Sequence, residues 1–94
     1  MTTAADEITA PPPFFHEESG AVRFWVLVGD GTFVGASISK QTLHFRFRAD
    51  ISGADALATY AAHKEEIDAA ARRRIAAGSI EPVMLREADV ARPR

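Results

Sequence analysis

Ala21-Val22-Arg23-Phe24-Trp25-Val26-Leu27-Val28-Gly29-Asp30-Gly31-Thr32-Phe33-Val34-Gly35-Ala36-Ser37-Ile38-Ser39 decides the fold. Residues 21–29 alternate. Val22, Phe24, Val26 and Val28 fall on one face, and Arg23, Trp25 and Leu27 on the other. β-branched and aromatic residues at a period of two describe a strand. Both faces are largely apolar, so this strand is expected to be central and covered on both sides, at least in part. Gly29-Asp30-Gly31 signals a hairpin, since Asp-Gly tolerates the positive φ angles of a type I′ turn. Residues 32–38 return as the second strand, with Val34, Ala36 and Ile38 on one face.

Outward from the hairpin, Ser39 is placed to cap a helix over 40–47, with Leu43 and Phe47 four apart on one face. A strand over 42–48 is the rival, because Leu43, Phe45 and Phe47 also alternate. Ser52-Gly53-Ala54-Asp55 fits a capping box. From about 53 to 77 the chain is rich in Ala and strong helix formers, and it stops at Gly78. Residues 80–85 suggest a last strand, with Pro82 confining it to an edge or to the strand's start. Phe14-Phe15 precede the hairpin as an expected short edge strand, and residues 17–20 (Glu-Glu-Ser-Gly) read as a turn.

The expected architecture is therefore α+β: a small antiparallel sheet of three to four strands packed against one long helix plus one short helix. Residues 1–13 read as a disordered tail containing Pro11-Pro12-Pro13. Residues 14–90 form the expected single domain, and 91–94 a frayed C-terminus.

Composition bounds the function. The 94 residues carry 11 Lys+Arg, 13 Asp+Glu, 3 His and no Cys, for a net charge of −2. Without cysteine there is no disulfide scaffold, thiolate zinc site or thiol nucleophile. The charge is uneven: Asp6, Glu7, Glu17 and Glu18 give the first twenty residues −4, leaving 11 bases and 9 acids, or +2, in the remainder. Neither value approaches a dedicated nucleic-acid binder. The longest apolar run is far below the roughly 20 residues that span a bilayer. With no basic n-region and apolar h-region at the start, a cytoplasmic location is expected, with no membrane partner.

The ordered pattern of hairpin, Ile-Ser at a helix start, Leu-x-x-x-Phe, a long helix and a short terminal strand resembles the small bacterial family called domain of unknown function 1488. The matching residues are Val22-Arg23-Phe24, Gly31, Ile38-Ser39, Leu43, Phe47, Leu57, Tyr60, Ile67, Ala71, Gly78, Val83 and Leu85. Tyr60 stands where the family pattern leads one to expect Phe, and Ala36 where it leads one to expect Cys. The resemblance implies a compact α+β fold. It implies no activity and no catalytic residues.

No motif for chemistry stands out. Residues 29–35 look like a glycine-rich phosphate loop, but a strand follows them where a dinucleotide site needs a helix. His16, His44 and His63 lack metal-ligand spacing, and His16-Glu17-Glu18 only begins an HExxH. No catalytic, cofactor or metal residue is assigned. Two basic clusters, Arg46 and Arg48 (with Lys40 and His44) and Arg72-Arg73-Arg74, are candidate phosphate contacts for a nucleic acid. The triplet fans across roughly 200° of a helix, so it forms no flat patch by itself.

The long helix holds one anomaly. On a wheel of about 100° per residue, Leu57, Tyr60, Ala61, Ile67, Ala71 and Ile75 make one apolar stripe, and Lys64 and Asp68 fall inside it. A charged pair there must be partnered or reach water. Lys64 and Asp68, with Trp25 and Tyr60, are thus the candidate ligand or interface residues. An unbroken helix over 53–77 spans about 37 Å at 1.5 Å per residue, which suggests either a kink or packing on a second copy. The expected function is a cytoplasmic interaction or regulatory module without catalytic activity, with an unknown protein partner and a homodimer as one form. Weak nucleic-acid binding and small-molecule or anion binding near Lys64 are the alternatives.

Overall fold

A computed structural model describes residues 11–29 and 31–90. Four strands form one sheet in the order β1-β2-β3-β4: β1 is Phe14–His16, β2 Ala21–Leu27, β3 Phe33–Ser39 and β4 Val83–Leu85. β2 and β3 pair antiparallel over seven residues, with Phe24 opposite Ala36 and Trp25 opposite Gly35. β1 is an antiparallel edge strand, with Phe14 opposite Arg23.

The sheet is mixed, which corrects the expected antiparallel one. β4 runs parallel to β3, with Ala36 opposite Val83 and Ile38 opposite Leu85. A parallel neighbour needs a long crossover, and all three helices lie in it. Pro82 directly precedes β4 at the sheet edge, where a missing N–H costs no ladder bond.

The hairpin differs from its expected form as well. Gly31 N–H donates to the Val28 carbonyl at 2.9 Å, and Gly31 takes φ +85°. That is a longer loop closed by a left-handed glycine rather than a two-residue turn. Asp30, on which the type I′ reading falls, lies outside the described residues.

Helix α1 spans Lys40–Phe47 and starts where Ser39 puts it: the Ser39 hydroxyl accepts from Thr42 N–H at 3.1 Å. The single long helix is corrected to two. α2 covers Ala56–Ala62 and α3 covers Lys64–Ala76, with His63 between them at φ −118° and ψ 26°. The His63 ring stacks on Phe47 of α1, 4.1 Å between centroids, which pins the joint. The break re-aims the apolar stripe. Ala56 and Tyr60 of α2 are buried, as are Ile67, Asp68, Ala70 and Ala71 of α3, while Leu57 and Ala61 are exposed. α3 alone is about 20 Å long, so helix length no longer argues for a second copy.

The capping box does not close. Asp50 accepts from Ser52 N–H and Ser52 Oγ accepts from Ala54 N–H. Asp55 turns back to accept from Asp50 N–H. The Ser52 hydrogen bonds hold the exposed Asp50 carboxyl below its ordinary range. At the other end, Gly78 at φ +99° closes α3, with Ser79 N–H donating to the Arg74 carbonyl and Gly78 N–H to that of Ile75. This is the two-bond ending that satisfies orphan carbonyls. A 3-10 turn, Glu87–Val90, follows β4.

One core joins these parts. Val22, Phe24, Val26, Ala36, Ile38, Val83 and Leu85 from the sheet meet Leu43, Tyr60, Ile67, Ala70 and Ala71 from the helices, with Val90 behind. All the sheet residues in it lie on one face. The helices cover that face alone.

Candidate functional site

Three of the four candidate ligand residues come together. The Asp68 carboxylate is buried at 2% exposure and accepts from the Tyr60 hydroxyl at 2.8 Å and from Lys64 Nζ at 2.5 Å. The Tyr60 ring packs against Phe24, 4.7 Å between centroids. Burial, then the hydrogen bond from Tyr60 to Asp68 and the charge of Asp68, push the Tyr60 phenol far above its ordinary range. Lys64 keeps a 58% exposed side chain, its stem on the helix and its ammonium folded back to Asp68 one turn on. Both carboxylate oxygens therefore have donors within the chain, as burying a charge requires.

Trp25 does not join them. It alternates with the buried Phe24 and Val26, so the pleat puts it on the opposite face of the sheet. There it sits beside Phe14, 6.1 Å between centroids.

The arginines are placed as struts. Arg72 Nε donates to the Leu27 carbonyl at the end of β2. Arg73 donates to the Asp89 carbonyl at 3.0 Å. Arg74 reaches Ser79 Oγ, the Met84 carbonyl and, at 2.7 Å, the Asp89 carboxylate. Arg46 donates to the Val90 carbonyl and pairs with Glu66 at 2.5 Å, its guanidinium 4.6 Å from the Phe47 ring centre. The fan of the triplet lets each arginine grip a different segment. Arg46, Arg73 and Arg74 together clamp the 3-10 turn. Arg48 ends α1 in the left-handed conformation at φ 62°.

The histidines are separate. His16 bonds Ser19, His44 Nδ1 donates to the Ala49 carbonyl, and His63 stacks on Phe47. Among the described residues no group of three His, Asp or Glu side chains is placed to hold a metal ion. No helix among them is long and apolar enough to cross a membrane.

What sequence reasoning missed is the second face of the sheet. By alternation it carries Phe14 and His16 from β1, Ala21, Arg23, Trp25 and Leu27 from β2, Phe33, Gly35, Ser37 and Ser39 from β3, and Met84 from β4. Met84 is 64% exposed, Phe14 41% and Leu27 40%. Trp25 and Phe33 are half-buried. Gly35 makes room at the centre: a β-carbon there meets Glu81 Oε2 at 3.0 Å and Trp25 Nε1 at 3.4 Å. The Glu81 carboxylate accepts from Gly35 N–H at 2.6 Å. The signal for this face was present in residues 21–29, apolar on both sides. Among the described residues the helices cover only one of these sides, and the other is covered in part, by Phe14 and Glu81 around Trp25 and Gly35.

No curated protein and no solved structure matches the chain. The model of one family does, over residues 10–85, and that stretch includes all four strands and all three helices. The chain belongs to that family, described as protein of unknown function (DUF1488).

Proposed function

We propose that this protein is a small cytoplasmic interaction module, acting without catalysis, whose contact surface is the uncovered face of its sheet. The observation that carries this reading is the composition of that face. An antiparallel sheet open to water on one side ordinarily alternates apolar-in with polar-out. Here five outward positions are large and apolar, Phe14, Trp25, Leu27, Phe33 and Met84, with His16, Arg23, Ser37 and Ser39 the polar ones and the Glu81 carboxylate beside Gly35. A contiguous exposed apolar patch on a small chain is the usual mark of an association surface.

The alternatives find less support. Arg46, Arg72, Arg73 and Arg74 each donate to an acceptor of the fold itself, so a phosphate would compete with bonds already made. At Lys64 the partner that an anion would offer is already Asp68.

A photo-crosslinking amino acid placed at Met84, in cells, tests the proposal. The expected result is a protein adduct from position 84 and none from Glu65 on the outer surface of α3. No adduct from position 84 overturns it.

A further inference from the structure

Resting on that reading, we infer that the occupant of the open face is a second copy of this chain, packed sheet to sheet about a two-fold axis. The sheet edges offer no route to association. Both edge strands have three residues, Pro11-Pro12-Pro13 run directly into β1, and Pro82 runs into β4. Proline supplies no N–H for an added strand, and short edges resist edge-to-edge pairing. That leaves the face.

The face is self-complementary in charge. Its two charged side chains are Arg23 on β2 and Glu81 beside Gly35 near β4, and the His16 ring of β1 at its margin is hydrogen-bonded to Ser19. Among the described residues Arg23 forms no ion pair, and Glu81 uses Oε2 on Gly35 N–H. In a two-fold contact residue i meets j and j meets i. With Trp25 on the axis, Arg23 of each copy lies toward Glu81 of the other, and the aromatic and aliphatic side chains between them close against their equivalents. A polyanion would meet a face with no net positive charge, so a nucleic acid is not the partner this chemistry selects.

The size of the face sets the strength. Two central strands of seven residues and two edge strands of three, about 4.8 Å apart and rising about 3.3 Å per residue, set the footprint. By these spacings it is about 320 Å², well below the roughly 800 Å² per partner of a standard stable interface. The dimer is therefore reversible and concentration-dependent, not obligate.

Sedimentation equilibrium of the full chain across the micromolar range tests this. The wild type is expected to pass from monomer to dimer with rising concentration. Met84→Lys, at an exposed side chain that leaves the fold intact by circular dichroism, should weaken the dimer about tenfold or more. Arg23→Glu should also weaken it, and Arg23→Glu combined with Glu81→Arg should recover part of the loss. A wild-type monomer at every concentration overturns the inference, as does a dimer indifferent to Met84→Lys. If the wild type is monomeric while position 84 still crosslinks to a different protein, the second copy is wrong and the interaction reading stands. Single-stranded RNA bound by a monomeric chain and lost in Met84→Lys also overturns the inference.

Discussion

The face of the sheet beneath the helices and the face turned away from them are built from alternate residues of the same strands. Phe24 and Trp25 are neighbours in sequence, yet Phe24 is enclosed by Tyr60 and the core while Trp25 rests against Phe14 and Gly35. Both faces are apolar. Among the described residues, the helices cover only one. The comparison teaches that hydrophobic alternation reports demand for burial, while what supplies the burial is a matter of where the crossover helices go. A small domain has few helices, and here all three lie on one side.

The largest expected effect lies on the covered side. Phe24→Ala should cost about 3–5 kcal/mol, as large-to-small changes at enclosed aromatic sites do. Urea denaturation would show it as a lower midpoint. A loss below about 1 kcal/mol would mean that this face is not the principal core.

Next comes the polar network at its rim. Lys64→Met removes one of the two donors to a buried carboxylate. Breaking a fully buried pair costs about 3–5 kcal/mol. Because the Lys64 side chain is more than half exposed, about 2 kcal/mol is expected after solvent screening. A rise in stability would show that the pair belongs to something other than the fold.

Tyr60→Phe should cost about 1–2 kcal/mol, since it takes a hydrogen bond from the Asp68 carboxylate. It also changes the alkaline limb. The folded phenol is held above its unfolded value of about 10, so the folded state keeps a proton that the unfolded chain gives up. That stability is complete below about pH 10 and falls as the pH rises past it. Tyr60→Phe should flatten the fall. Tyr60 is the single tyrosine in the chain, so phenolate absorbance reports it alone. An ordinary titration in the folded protein would contradict its burial.

The smallest effect is on the open face. Leu27→Thr and Met84→Ser, measured in dilute solution, should change stability by no more than about 0.5 kcal/mol. If either costs as much as Lys64→Met, then the two faces are not different in kind and the open one is covered in the isolated chain.

The elements governed by neighbours in sequence were legible in advance. The alternation of 21–29, the Ser39 cap and the Gly78 stop each depend on contacts within a few residues, and each stands where expected. The Leu-x-x-x-Phe spacing and the cap outweighed the rival strand over 42–48. The helix over 53–77 was legible as helical but not as two helices, because the joint at His63 is held by Phe47, sixteen positions earlier. Lys64, Asp68 and Tyr60 could be linked by the helical period. Trp25 could not be assigned to that group or away from it without knowing which face the helices take.

What the sequence determined by itself is the set of local structures and the chemistry available: one long strand that wants burial on both sides and a second with one apolar face, a capped helix, an arginine triplet, no cysteine. The tertiary structure decided the parallel placement of β4, the use of the arginines as struts to the 3-10 turn, and the side of the sheet left open. Each of these rests on contacts between segments far apart in the chain, such as Arg46 with Val90 or Gly35 with Glu81. Local periodicity states that a face must be buried. Only the path of the whole chain settles whether the chain buries it or leaves it for a partner.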